Sequence, residues 1–104
     1  MSELFCAGPL SDFKAGFGKI LNIAGKEISF FLINGEVFAI DNSCPHRGGP
    51  LSRGVLENNL AVRCPLHGWL FDLKTGDCLN QTGKKVGSYP VEIKENTVYI
   101  YLEA

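Results

Sequence analysis

Short apolar runs separated by turn residues recur along the chain, and their spacing predicts strands. Lys19-Ile20-Leu21-Asn22-Ile23 is one run, Ile28 to Ile33 is apolar except at Ser29, and Val37-Phe38-Ala39-Ile40 is another. Asn34-Gly35 lies between the last two, a pair that tolerates positive φ at both central turn positions, so a hairpin is expected there. Further on, Val91 and Ile93 alternate with Glu92 and Lys94. Glu95-Asn96 makes a turn, after which Val98, Ile100 and Leu102 alternate with Thr97, Tyr99 and Tyr101. A period of two means strands with one buried face. Asn58-Asn59 separates Val55-Leu56 from Leu60-Ala61-Val62, and Lys74-Thr75-Gly76-Asp77 separates Phe71-Asp72-Leu73 from Cys78-Leu79. Only Ser11 to Ala15 could begin a helical turn, which Gly16 would end. The expected class is all-β, an antiparallel sandwich or partly open barrel.

At 104 residues the chain is expected to be one small domain, residues 1–104. A composition of 45% hydrophobic and 20% charged residues excludes a disordered or low-complexity chain. Ten basic and eleven acidic side chains, nearly balanced within each half of the sequence, leave no footprint for nucleic acid or an anionic membrane. No apolar run is long enough to span a bilayer, and Met1 to Cys6 has neither the basic start nor the apolar core of a signal peptide. A cytoplasmic location is therefore expected. There the four cysteines would be metal ligands or buried thiols rather than disulfides.

Two breaks between the strands are not ordinary turns. One reads Cys44-Pro45-His46-Arg47-Gly48-Gly49-Pro50-Leu51, and the other Cys64-Pro65-Leu66-His67-Gly68-Trp69. Each opens on Cys-Pro, reaches a histidine within three residues and follows it with glycine. Both histidines of the chain and two of its four cysteines lie here. Two thiolates and two neutral imidazoles make a four-ligand metal site: Cys44, His46, Cys64 and His67. Proline narrows each loop before metal arrives. Glycines without a Cβ let backbone N–H groups approach closely, as bridging sulfides would require.

The pattern C-x-H, seventeen intervening residues, then C-x-x-H, with flanking glycines, resembles the Rieske [2Fe–2S] proteins. The resemblance implies a Rieske-like β fold whose cluster-binding part, about residues 42–72, is inserted in a basal β domain. It implies one [2Fe–2S] cluster per chain, with Cys44 and Cys64 on one iron and His46 and His67 on the outer one. It also implies a one-electron carrier rather than an independent catalyst. Its partners would be a flavoprotein reductase and the terminal oxygenase of an aromatic-ring dioxygenase system. The small Rieske subunit of an assimilatory NAD(P)H nitrite reductase, bound to its large subunit, is the alternative.

The departures matter as well. High-potential Rieske proteins join an extra cysteine in each loop as a disulfide; Gly49 and Leu66 occupy those positions here. Their serine and tyrosine hydroxyls after the second histidine are replaced by Trp69 and Phe71, which supply no O–H. Fewer donors to sulfur imply a low potential, on the order of −150 mV. The segment Leu79 to Gly87, where this family often has proline in a shielding loop, has none.

Two other chemistries use these residue types: a zinc site stabilising an interaction module, and a catalytic Cys–His dyad. Zinc pairs usually come as C-x₂₋₄-C and H-x₃₋₅-H, and a dyad leaves the duplicated loop unexplained. Cys6 and Cys78 are expected to be buried thiols. Trp69 could pack in the core or dock a partner, and Arg47 and Arg53 flank the first loop as surface charges that could orient an acidic partner.

Overall fold

The run Ile28 to Ile33 is apolar at nearly every position because its strand is covered on both faces. The structure is a computed structural model and describes residues 2–44, 50–57, 60–66 and 68–103. The strands are β1 (Ser2–Pro9), β2 (Gly18–Ile23), β3 (Lys26–Ile33), β4 (Glu36–Asp41), β5 (Val55–Glu57), β6 (Ala61–Arg63), β7 (Leu70–Asp72), β8 (Ser88–Tyr89), β9 (Val91–Lys94) and β10 (Thr97–Glu103). They form three antiparallel sheets: β1-β10-β9, β2-β3-β4-β8 and β5-β6-β7.

The four-stranded sheet separates two cores. On one face Ile28 and Phe30 of β3, with Val37 and Ala39 of β4, join Phe13, Val98, Ile100 and Leu102. On the other, Phe31 of β3 and Ile40 of β4 join Cys44, Leu51, Val62, Cys64, Phe71, Leu73 and Val86. Neighbouring residues of a strand point to opposite faces, so Phe30 and Phe31 fill different cores, both at 0% exposure. Ser29, the polar break in the run, is also fully buried and donates to the Ile40 carbonyl at 3.2 Å. At the turn Asn34 and Gly35 have φ of 52° and 82°, as the dipeptide predicts.

The second of these cores holds the sheet β5-β6-β7 against the rest. Here the sequence expectations hold in outline, while Asn58-Asn59 lies outside the described residues. Glycines permit the close approach. A Cβ on Gly18 of β2 would come within 2.3 Å of the Ser52 carbonyl oxygen, and one on Gly54 within 2.4 Å of the Arg63 carbonyl oxygen.

Several expectations need correction. Residues 2–9 form a full strand on β10, although no alternation announces it; Leu4 and Cys6 are exposed there. The expected helical turn is a 3-10 turn over Leu10–Asp12, and Phe13, which should have continued it, instead drops into the core. Cys78-Leu79 is not a strand: Cys78 makes only an isolated bridge to Phe71. Ile93 of β9 stays 37% exposed, so the alternation marks a buried face in β10 but not in β9. No helix among the described residues is long and apolar enough to cross a membrane.

Candidate metal centre

Asn42 closes the base of the first loop. Its carbonyl accepts the Leu51 N–H at 2.6 Å, and its side-chain oxygen accepts the Ser52 N–H at 2.9 Å. Its amide nitrogen donates to the Glu27 carboxylate at 3.1 Å, and its backbone N–H donates to the Glu27 carbonyl at 3.1 Å. The side chain is buried at 3% exposure with both of its polar atoms used. A bridge between Ser43 and Pro50 completes the closure. The segment arriving at Cys44 and the segment running from Pro50 to Ser52 are thus fixed to one another and to β3.

The second loop joins β6 to β7, whose pairing of Arg63 with Leu70 brings its ends together. Inside it the Cys64 N–H donates to the Trp69 carbonyl at 2.7 Å, and the Gly68 N–H donates to the Cys64 carbonyl at 3.1 Å. Gly68 has φ of 73°, a conformation that favours glycine. Its carbonyl accepts two side-chain donors: Arg63 Nη1 and Asn80 Nδ2, each at 3.0 Å. Arg63 is itself steadied by Glu57 at 2.9 Å across β5 and β6. This ion pair is half exposed, so its worth is geometric rather than energetic.

Asn80 belongs to the proline-free segment after β7. Besides donating to Gly68, it accepts the Leu70 N–H at 2.9 Å and the Cys78 thiol at 3.3 Å. The far end of the segment is tied to β4: the Gly87 N–H donates to Asp41 Oδ2 at 2.8 Å, and the Asp41 N–H to the Gly87 carbonyl at 2.9 Å. The Tyr89 hydroxyl donates to Asp41 Oδ1. Burial, then the hydrogen bond to Asp41 and its negative charge, pushes the Tyr89 phenol well above its ordinary range. The turn within the segment rests on Gly76, where a Cβ would sit 2.1 Å from the Val86 carbonyl oxygen. The Val86 N–H donates to the Gly76 carbonyl at 2.8 Å.

Cys44 and Cys64 stand at the openings of the two loops and belong to the same core, each 3% exposed. No disulfide joins any of the four cysteines. Two buried thiols, delivered from separate loops into one apolar cluster, fit the cysteine half of an iron–sulfur donor set. His46, Arg47, Gly48, Gly49 and His67 lie outside the described residues. Phe71 is fully buried beside the thiols, and Trp69, half-buried, packs on the same cluster with its ring 6.5 Å from that of Phe71. Trp69 thus packs against the core while part of it stays exposed. Cys6 is exposed and Cys78 half-buried, which corrects the expectation of two interior thiols.

Asn42, Arg63 and Asn80 were not legible as site residues. For Asn42 a signal existed: an amide two residues before a ligand-like cysteine, where a loop must close. Asn80 had no such signal, because its partners are fixed only by the path of the chain after β7.

A family model described as a Rieske-like [2Fe–2S] domain matches residues 4–101. The 3-phenylpropionate/cinnamic acid dioxygenase ferredoxin subunit of Photorhabdus laumondii is 42% identical over 76 residues, 71% of each chain. The ferredoxin component of naphthalene 1,2-dioxygenase/salicylate 5-hydroxylase systems from a Ralstonia species is 36% identical over 98 residues, 93% of each. Among solved structures, the ferredoxin of carbazole 1,9a-dioxygenase from Nocardioides aromaticivorans superimposes with a TM-score of 0.85 at 27% identity, covering 93% of this chain and 95% of that one. A Mycobacterium tuberculosis structure assigned as an NADH-dependent nitrite reductase small subunit reaches 0.93 at 23% identity, covering 100% and 98%. At that identity the likeness is one of fold.

Proposed function

This chain belongs to the Rieske-like [2Fe–2S] domain family, and from that premise we propose that it is a ferredoxin, passing single electrons from a flavoprotein reductase to the terminal oxygenase of an aromatic-ring dioxygenase-type system. The observation that carries the reading is the pairing of Cys44 and Cys64 in one buried cluster at the openings of two separate loops. Relatives that match along nearly their full length are ferredoxin components, which supports a carrier rather than a catalyst. The site would be Cys44, Cys64, His46 and His67, holding one cluster per chain within residues 42–72. When bound, such a cluster supplies a one-electron couple whose two histidine ligands raise its potential over that of four-cysteine ferredoxins.

The chain's own residues do the rest. Asn42 closes the base of the first loop, and the Arg63–Gly68–Asn80 contacts brace the second. Leu51, Val62 and Phe71 exclude water from the thiol side. Phe71 and Trp69 bring no hydroxyl to the sulfurs, which leaves the potential at the low end of the Rieske range, on the order of −150 mV. A reducing cytoplasm, which keeps the thiols available, suits this role.

Electron paramagnetic resonance of the dithionite-reduced protein, with iron and sulfide analysis, tests the reading. A Rieske-type signal with about two irons and two sulfides per chain is expected. A colourless protein holding one divalent ion would overturn it in favour of the zinc module. Co-purification with a large flavin- or sirohaem-bearing chain would replace the oxygenase by a nitrite reductase as the partner.

A further inference from the structure

The charge of this protein is small overall but unevenly placed. Residues 42–87, the stretch that contains both loops, the sheet β5-β6-β7 and the segment pinned by Asn80, carry six basic and three acidic side chains. The remaining residues carry four basic and eight acidic ones. Along the sequence, the stretch that contains the candidate metal centre is therefore basic and its flanks are acidic, hidden in a net charge of −1.

Within this basic stretch two of the three acidic groups are already engaged, while Asp77 stays exposed. Glu57 pairs with Arg63, and Asp72 accepts the N–H groups of Lys74 and Thr75 in its turn. Lys84 and Lys85 are exposed and, among the described residues, make no ion pair. They lie in the segment whose Asn80 grips Gly68, directly after His67. Backbone contacts hold them there: the Lys84 carbonyl accepts the Cys78 N–H at 2.9 Å, and Lys85 bridges to Asp77. Two large apolar side chains of the same two segments stay exposed, Leu66 at 54% and Leu79 at 53%. An apolar contact with basic residues about it suits a redox protein whose docking face is acidic.

We propose that the surface carrying Leu66, Leu79, Lys84 and Lys85 docks a redox partner through an acidic face, and that the uneven charge orients this protein as it approaches. The proposal rests on the carrier reading and deepens it by giving the partner's surface chemistry. Charge placed near the contact governs the encounter more than net charge does, because salt screens contributions from beyond about 10 Å.

Stopped-flow oxidation of the reduced holoprotein tests this with two protein acceptors, an acidic b-type cytochrome and a basic c-type cytochrome. One electron leaves the reduced protein and converts one ferric haem to ferrous; no proton or other reactant is needed. With the acidic acceptor the rate is expected to fall, by about threefold or more, as salt is raised from low to physiological strength. With the basic acceptor it is expected to stay level or rise. The double variant K84E/K85E should abolish the fall. K14E/K94E, which changes net charge equally but in the acidic flanks, should preserve it. Falling rates with the basic acceptor, or equal effects of the two double variants, would overturn the proposal. Failure of the carrier reading looks different: the purified protein would then give no dithionite-reducible iron–sulfur signal before any acceptor is added.

Discussion

The side-chain amide of Asn80 donates to the Gly68 carbonyl at 3.0 Å, tying the segment after β7 to the backbone beside His67. The same side chain accepts the Leu70 N–H. Donor and acceptor are both needed, so the two substitutions differ. Asn80→Asp keeps an acceptor for Leu70 but sets a carboxylate against the Gly68 carbonyl. Asn80→Ala removes the donor to Gly68 and the acceptor shared by Leu70 and the Cys78 thiol without repulsion, at about 1 kcal/mol for each exposed bond. Hydrogen exchange at the Leu70 amide should quicken in Asn80→Ala and remain slow in Asn80→Asp. Bleaching of the visible chromophore should be faster in both.

Asn42 offers a more severe case, because it is buried. Replacing it by alanine leaves the Ser52 N–H without its acceptor and removes the donor from Glu27. A cost of about 1–3 kcal/mol is expected. In a domain of this size that lowers the thermal midpoint by about 4–8 °C for each kcal/mol. Asn42→Asp should be worse than alanine at neutral pH and recover at low pH, since it places a second carboxylate against Glu27. Circular dichroism melts at two pH values check this ordering.

Tyr89 gives a dependence at the alkaline end. The fold favours its neutral phenol, so the folded-state value stands above the ordinary value of about 10. Its contribution to stability is complete below the ordinary value and is lost as pH rises from there toward the folded-state value. The wild-type minus Tyr89→Phe difference in phenolate absorbance should therefore be absent at about pH 10.5 in folded protein and present once the protein is unfolded. A full phenolate difference in the folded state at that pH would contradict the burial and the Asp41 contact.

Gly54 is expected to tolerate no side chain. An alanine Cβ there would meet the Arg63 carbonyl oxygen at 2.4 Å and a Val62 methyl at 2.7 Å, both fixed by β6. Gly54→Ala should cost about 1–3 kcal/mol through forced displacement of β5 from β6. Gly25→Ala, at a turn with open space around it, carries only the penalty of positive φ. Comparing the two melts separates steric clash from backbone strain.

Much of this architecture could be read from patterning. The run at Ile28–Ile33 and the alternation at Val98–Leu102 announce the two interior strands whose burial is deepest, because burial on a sheet face leaves a period in the sequence. β1 left no such trace. It is a sheet-edge strand with Leu4 exposed, and long-range pairing with β10 rather than local pattern creates it. Cys44 and Cys64 stand out in the sequence through the duplicated loop, a local pattern, and the fold buries both in one core. The amide contacts of Asn42 and Asn80 were not legible, because their partners lie up to fifteen residues away and depend on how the chain returns. Polar contacts of that kind carry no periodicity.

The clasp between Gly76 and Val86 has a consequence for how this fold can diverge. It fixes both feet of an excursion whose crest, residues 81–83, is entirely exposed, with nothing within 4 Å of where a Gly83 side chain would begin. Residues inserted at that crest would leave the feet and the two loops in place, whereas any lengthening at the feet would not. Evolution can thus retailor this arch for new companions while the metal-holding framework stays constant.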